Sequence, residues 1–230
     1  MTLMKAIGSM SGLLGALPIV LALAAGGPVD PLLAAGPPQL VLNLHFTAYD
    51  TLPTASQRAL IAEAESIWTS GHVRLKWLGE STEAEPGPVL RVVVVASPAP
   101  RATEYSPWTV AELVRLEGSK ATAIASTIGA RRIVDESQWD RFLEFPGLYD
   151  RRLGIVLGRA VSHEIGHYLL HTSTHARQGL MRARIDAREF ADLRAGAFRL
   201  DDAAEAHMAA LAARGTLSPE AVTSFSYAAP

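Results

Sequence analysis

Two histidines and a glutamate within the stretch Ser162–His175 have the spacing of a metal-binding motif. His163, Glu164 and His167 form H-E-x-x-H. On an α-helix, residues four positions apart lie on one face with their Cβ atoms about 6 Å apart. Two imidazoles at that spacing can bind one zinc ion, each at about 2.0–2.1 Å. The motif therefore predicts a zinc site on a helix.

Glu164 has a different part in the same motif. It follows His163 directly, so its side chain points to another side of the helix and is poorly placed as a third ligand. It is well placed to hold a water on the metal and to take its proton, because zinc lowers the pKa of a bound water from 15.7 to about 7. The motif therefore indicates a metallopeptidase with a Zn²⁺ cofactor and Glu164 as its general base.

The competing interpretation is a surface helix with solvated histidines. The preceding segment Leu153–Val161 is mostly apolar, which predicts a largely buried helix. Buried polar groups need partners, and a metal ion supplies one to each histidine. Burial of the helix therefore favours the metal site.

A catalytic zinc usually takes three protein ligands and a water, so a third ligand is expected. His171 continues the four-residue spacing, but on an unbroken helix it stands about 12 Å along the axis from His163. One ion cannot contact both residues. His175 is the preferred third ligand, and it requires the chain to fold back after about Leu170. A downstream carboxylate, Glu189 or Glu205, stays open as an alternative.

The residues between Leu170 and His175 suit such a break. Thr172, Ser173 and Thr174 are poor helix formers. Histidine is also enriched among the non-glycine residues that adopt a positive φ. His171 is therefore the candidate for the turn position, and it stays open as the least favoured third ligand.

The motif, a nearby histidine and a methionine in a turn together resemble the metzincin clan of zinc peptidases, whose pattern is H-E-x-x-H-x-x-G-x-x-H followed by a Met-turn. His163 and His167 match its helical ligands, Glu164 matches its general base, and Met181 in the segment GLM resembles the Met-turn methionine. The resemblance implies zinc-dependent hydrolysis of peptide bonds.

This chain departs from the metzincin pattern in the spacing of the third histidine. Leu170 stands at the position of the clan's glycine, Ser173 stands at the position of its third histidine, and His175 follows two residues later. The segment 153–183 also resembles uncharacterised exported bacterial proteins with this extended spacing. The loop that carries His175 must therefore be longer than the turn of the clan.

Hydrophobic patterns predict the elements that position this motif. Apolar alternation or β-branched runs predict strands, and apolar stripes at helical spacing predict helices. The predicted strands are 40–49, 73–78 and 89–96, and the predicted helices are 57–69, 150–170 and 201–214. The expected fold class is α+β: a metzincin-like twisted mixed sheet packed on two helices, with the H-E-x-x-H zinc helix at the cleft.

A strand at the edge of such a cleft can bind the substrate backbone by adding the peptide to the sheet. The segments 123–128 and 132–134 could form two strands around Gly129 and Ala130. This strand pair is the predicted substrate-binding edge.

The first 25 residues have the features of a targeting segment: Lys5, an apolar stretch, and Ala22-Leu23-Ala24, which resembles a signal-peptidase site. Residues 1–25 are therefore predicted to be a signal peptide, residues 26–38 a flexible linker, and residues 39–230 the catalytic domain. Contact with a membrane is expected only if the first segment is not cleaved. The expected location is secreted or periplasmic.

Composition limits the partners that this chain is expected to bind. The net charge of −2 and the lack of a basic cluster argue against nucleic acid. The absence of cysteine excludes disulfides and thiolate metal ligands. A peptide or protein substrate is the expected partner, and the oligomeric state stays open. Three alternative functions also stay open: a non-catalytic zinc-binding module, a metal-dependent hydrolase of another amide, and a membrane-anchored structural protein.

Overall fold

The computed structural model describes residues 39–70, 72–79, 82–96, 110–115, 121–137, 147–194 and 198–215. The predicted signal peptide and linker lie outside the described residues. Among the described residues, no helix combines the length and hydrophobicity needed to cross a bilayer.

Within these described ranges, five strands form one mixed sheet: β1 (Leu40–Ala48), β2 (Val73–Leu78), β3 (Val89–Val95), β4 (Ala111–Arg115) and β5 (Ala121–Ser126). Their order across the sheet is β2-β1-β3-β5-β4. Strand β1 is parallel to β2 and β3, and β3 is parallel to β5. Strand β4 runs antiparallel to β5 at one edge. The predicted mixed sheet is confirmed.

The helices of the described chain are α1 (Thr54–Thr69), α2 (Thr127–Ser137), α3 (Leu148–Leu169), α4 (Ala187–Phe190) and α5 (Asp202–Arg214). Helix α3 carries the H-E-x-x-H motif and packs against α1, α2, β4 and β5. The two long helices α1 and α3 correspond to the predicted helices 57–69 and 150–170. The prediction of an α+β fold with the motif on a packed helix is confirmed.

Small residues bring α1 and α3 close together. A Cβ atom at Gly158 would lie 2.7 Å from the carbonyl oxygen of Leu60 and 2.9 Å from the Cβ of Glu63. Most of α3, from Leu153 to Ile165, is buried. The apolar run before the motif therefore forms part of the core, as its composition indicated.

The predicted strand pair in residues 123–134 is wrong. The chain forms β5 only as far as Ser126, and helix α2 follows at once. The Ser126 hydroxyl accepts a hydrogen bond from the Gly129 N–H at 3.0 Å, as an N-cap does. Ile133 and Val134 then pack into the core. The edge strand is β4 instead, and β5 lies inside the sheet.

Candidate metal centre

The chain reverses direction directly after α3. Leu170 keeps right-handed helical geometry, with φ −83°, and His171 takes the left-handed conformation, with φ 48°. The expectation that His171 occupies the turn is confirmed. The turn residue, His171, follows Leu170, which stands at the position of the clan's glycine. The segment from His167 to His175 is two residues longer than the clan's pattern. One of these two residues therefore precedes the turn and the other follows it.

This turn brings His175 back to the helical histidines. One ring nitrogen from each of His163, His167 and His175 can be chosen so that all three lie within 4.8 Å of one another. The ring centroids are 4.7 Å apart for His163 and His167, 5.3 Å for His163 and His175, and 4.9 Å for His167 and His175. The three predicted ligands therefore lie close enough together to bind one metal ion.

Backbone carbonyls orient the two helical imidazoles. His163 Nδ1 lies 2.8 Å from the Leu180 carbonyl oxygen, and His167 Nδ1 lies 2.8 Å from that of Thr172. Because a carbonyl only accepts hydrogen bonds, each Nδ1 carries the proton and each neutral ring presents a lone pair on Nε2. Metal-binding histidines commonly donate their other N–H in this way.

The two Nε2 atoms lie 3.0 Å apart. Two lone pairs at that distance repel each other unless a proton or a metal ion lies between them. Nitrogen ligands of a tetrahedral zinc with bonds of 2.0–2.1 Å are about 3.3 Å apart. The spacing and chemistry of this donor set therefore fit a zinc ion.

The protonation state of the site also suits a metal. The pKa of His163 is lowered to about 4, mainly by burial; the hydrogen bond to the Leu180 carbonyl opposes this shift, and the nearby His167 and His175 add to it. Burial also lowers the pKa of His175. Neutral imidazole is the form that binds metals, so no proton has to leave His163 at neutral pH.

Glu164 lies in the same cavity as the histidines, and its side chain is nearly buried. Its pKa is raised to about 7, mainly by burial and to a smaller extent by the charge of Glu112, while a backbone hydrogen bond at Leu113 opposes the shift. The carboxyl group therefore lies beside β4 and is poised to exchange a proton near neutral pH.

The cavity has a volume of about 1200 Å³ and two different walls. Strand β4 supplies one wall, which includes Glu112 and Leu113. The segment after His175 supplies the other, which includes Arg182, Arg184 and Ile185. The motif lies at the base between these walls.

Met181 is buried against the motif helix. A Cβ atom at Gly166, between the two helical histidines in sequence, would lie 2.2 Å from the Met181 sulfur. The Met181 carbonyl accepts a hydrogen bond from the Ala176 N–H at 2.8 Å. Met181 therefore lies directly under the motif in a tight turn, and its role as a Met-turn stays a prediction.

The other candidate ligands do not join the cluster. Within the described part of the chain, the group formed by His163, His167 and His175 is the one set of side chains able to hold a metal. His171 lines the cavity, and its ring centroid lies 6.3 Å from that of Tyr168. Glu189 contacts Arg182 at 2.5 Å, and Glu205 lies in the first turn of α5.

Sequence reasoning missed several residues of this site: Glu112, Leu113, Thr172, Leu180 and Arg182. The segment VAELVRL around Glu112 lacks the alternation that marks a strand. Thr172 and Leu180 act through backbone carbonyls, which leave no trace in side-chain patterns. Only the basic character of Arg182, directly after Met181, was visible in the sequence.

No protein-family model matches this chain, and no curated protein matches it. Among solved structures, it is similar to the crystal structure of archaemetzincin from Methanopyrus kandleri. The identity is 16%, the TM-score is 0.38, and the match covers 76% of this chain and 97% of that one. At this TM-score the assignment of fold and site rests on the chain's own geometry.

Proposed function

We propose that this protein is a zinc-dependent metallopeptidase. The observation that carries the proposal is the meeting of His163, His167 and His175 in one cavity with the buried carboxyl group of Glu164. Three imidazoles and an adjacent general base are the donor set of a catalytic zinc site rather than of a closed structural one.

His163, His167 and His175 would hold the ion. When bound, zinc would supply Lewis-acid polarisation of the scissile carbonyl and of water. Glu164 accepts the proton of the attacking water and then donates it to the leaving amine. Its burial beside β4 keeps bulk water from competing for that proton.

Strand β4 is proposed as the substrate-binding edge, in place of residues 123–134. Among the described residues it pairs with β5 on one side and with no strand on the other, and Glu112 and Leu113 line the cavity next to Glu164. An extended peptide can add to such an edge through main-chain hydrogen bonds. A peptide bond would then lie across the base of the cavity.

Export of the protein also remains a proposal. It rests on the apolar segment and the Ala22-Leu23-Ala24 sequence. N-terminal sequencing of the protein recovered outside the cytoplasm would give a new N-terminus near Ala25. An intact first segment in a membrane fraction would contradict cleavage.

Metal analysis and peptide hydrolysis of the full chain test the function together. We expect one zinc per chain in the wild type, loss of zinc in the His163→Ala, His167→Ala and His175→Ala variants, and retention in His171→Ala. Glu164→Gln should keep zinc and lower kcat/KM for a peptide library by about 10²–10⁴-fold. Zinc binding without hydrolysis of any peptide would overturn the peptidase assignment and leave a zinc-binding module or another amide hydrolase.

A further inference from the structure

The segment that orients His163 is a tight turn at Gly179, Leu180 and Met181. Gly179 has φ 75°, and a Cβ atom there would lie 2.5 Å from the Arg199 carbonyl oxygen. The Leu180 N–H donates to that same carbonyl at 2.7 Å. The Leu180 carbonyl in turn accepts the Nδ1–H of His163. The position of this turn therefore sets the direction of one proposed ligand.

Arg182 ties the turn to a second element. Its Nε–H donates to the Gly179 carbonyl at 3.1 Å, and its Nη2 donates to Glu189 Oε1 at 2.5 Å. Both side chains are partly buried, with 22% of Arg182 and 35% of Glu189 exposed. A bond to a charged partner is stronger than one between neutral groups, so Glu189 holds the guanidinium against the turn.

Glu189 is itself held by the core. Its backbone carbonyl and that of Phe190 accept hydrogen bonds from Arg159 Nη1 at 3.2 and 2.8 Å. Arg159 is fully buried, and its Nε lies 2.7 Å from Glu63 Oε1. Its guanidinium carbon lies 4.2 Å from the centre of the Phe198 ring. Helix α4, which carries Glu189, is therefore anchored to α1 and α3 independently of Arg182.

These contacts form a continuous chain from the core to a proposed ligand. We propose that Arg182, anchored by Glu189, is a positioning residue for the metal centre, acting through the Gly179–Leu180 peptide on His163. The inference rests on the proposed metal site. Glu189 was one of the alternative metal ligands in the sequence analysis. In this inference Glu189 binds Arg182 and does not bind the metal.

The test measures zinc affinity in Arg182→Gln, Glu189→Gln and the double variant of the full chain, with Arg194→Gln as the matched control. Arg194 also forms an ion pair with a nearby carboxylate, Asp192, but its side chain is 90% exposed and does not contact the turn within the described part of the chain. Partners of metal-bound histidines typically contribute 10–100-fold in affinity. We expect Arg182→Gln and Glu189→Gln to weaken zinc binding at least tenfold, and Arg194→Gln to stay within twofold.

Three further readouts separate positioning from general stability. The absorption spectrum of the cobalt-substituted protein should change in Arg182→Gln, because the ligand geometry changes. In metal-free protein, the His163 Nδ1 proton should exchange faster with solvent by NMR, while the melting temperature stays close to wild type. The double variant should bind zinc no more weakly than the more affected of the two single variants, since both substitutions break the same connection.

The outcomes distinguish this inference from the proposed function. If the wild type binds no zinc, both the proposed metal centre and the positioning inference are wrong. If the wild type binds zinc and Arg182→Gln binds within twofold, only the positioning inference is overturned. If Glu189→Gln loses zinc while Arg182→Gln keeps it, Glu189 is a ligand. An equal loss in Arg194→Gln would also overturn the inference.

Discussion

At the scale of single residues, the adjacent Glu164 and His163 have pKa values that shift in opposite directions. The carboxyl group has its pKa raised to about 7, and the imidazole has its pKa lowered to about 4. Both shifts have burial as their main cause, because burial disfavours the charged form of each group. Without metal, both groups are therefore kept neutral over much of the range between those values.

These shifts make a signed prediction for metal-free protein. Between pH 4.5 and about 7, folded Glu164 keeps a proton that the unfolded chain releases, so its contribution to the free energy of unfolding falls as pH rises. The Glu164→Gln variant has no titrating carboxyl group at this position, so its free energy of unfolding does not fall for this reason. We expect the stability of the variant relative to wild type to rise by on the order of 3 kcal/mol across this window. Urea unfolding with a chelator, at several pH values, measures it.

His163 opposes this trend in the wild type. Between about pH 4 and pH 6.5, His163 is protonated in the unfolded chain but neutral in the folded protein. Its contribution to the free energy of unfolding therefore rises with pH in that range. The comparison of Glu164→Gln with wild type cancels the His163 contribution. Parallel stability curves for the two proteins would contradict the raised pKa of Glu164.

Gly166 carries a second prediction at this scale. A methyl group there would meet the Met181 sulfur at 2.2 Å, and Met181 is buried. The clashing atoms belong to the end of a flexible side chain and can shift at less cost than backbone atoms, so Gly166→Ala should lower the free energy of unfolding by about 1 kcal/mol, the low end of the overpacking range. Denaturant unfolding measures the change.

A double-mutant cycle assigns that loss to the contact with Met181. Met181→Ala creates space beside Gly166, so adding Gly166→Ala to it should cost much less than in the wild type. Additive effects of the two substitutions would show that the clash lies elsewhere.

At the scale of elements, the α1–α3 crossing depends on a missing side chain. Alanine normally stabilises a helix interior by about 0.5–1 kcal/mol relative to glycine. At Gly158 the added Cβ would lie 2.7 Å from the Leu60 carbonyl oxygen, which is too close. We therefore expect Gly158→Ala to destabilise the protein by about 1–3 kcal/mol, measured by denaturant unfolding.

Gly79 offers a matched control for this substitution. A Cβ atom there would meet the Thr82 hydroxyl oxygen at 3.6 Å, which is an ordinary contact. Gly79→Ala should change stability by no more than about 0.5 kcal/mol. A Gly158→Ala variant as stable as the control would show that α1 can move away from α3 without cost.

At the scale of the whole molecule, the metal centre joins parts of the chain that are distant in sequence. His163 and His167 belong to α3, and His175 belongs to the loop beyond it. The Leu180 carbonyl accepts the hydrogen bond that orients His163, and the Leu180 N–H donates a hydrogen bond to the Arg199 carbonyl. A ligand that binds only this folded arrangement stabilises it in proportion to the logarithm of its concentration.

Zinc should therefore stabilise the whole fold. At a free zinc concentration of 1,000 times Kd, the expected gain in the free energy of unfolding is about 4 kcal/mol. His163→Ala should abolish most of this gain, and His171→Ala should preserve it. Thermal unfolding with buffered zinc and with a chelator measures the effect. An equal gain in wild type and His163→Ala would place the ion outside the proposed site.

Much of this molecule could be predicted from local sequence. The motif helix, the α5 helix between its Asp201 cap and Gly215, and the strands β1 to β3 follow from side-chain periodicity and from capping. The turn at His171 was also predictable, since the poor helix formers that follow it end α3. Helices and their caps are made by contacts between residues a few positions apart, so short stretches of sequence determine them.

The tertiary structure alone decided which strand lies at the edge of the cavity and what surrounds the ligands. Residues 123–134 did not form a strand pair because Ser126 caps α2, while Ala111–Arg115 became a strand by pairing with β5. The Leu180 carbonyl and the Arg182–Glu189 pair reach the site only once the chain has folded back on α3. Strand pairing and hydrogen bonds to backbone carbonyls here join residues that are far apart in the chain. Local side-chain patterns therefore do not predict them.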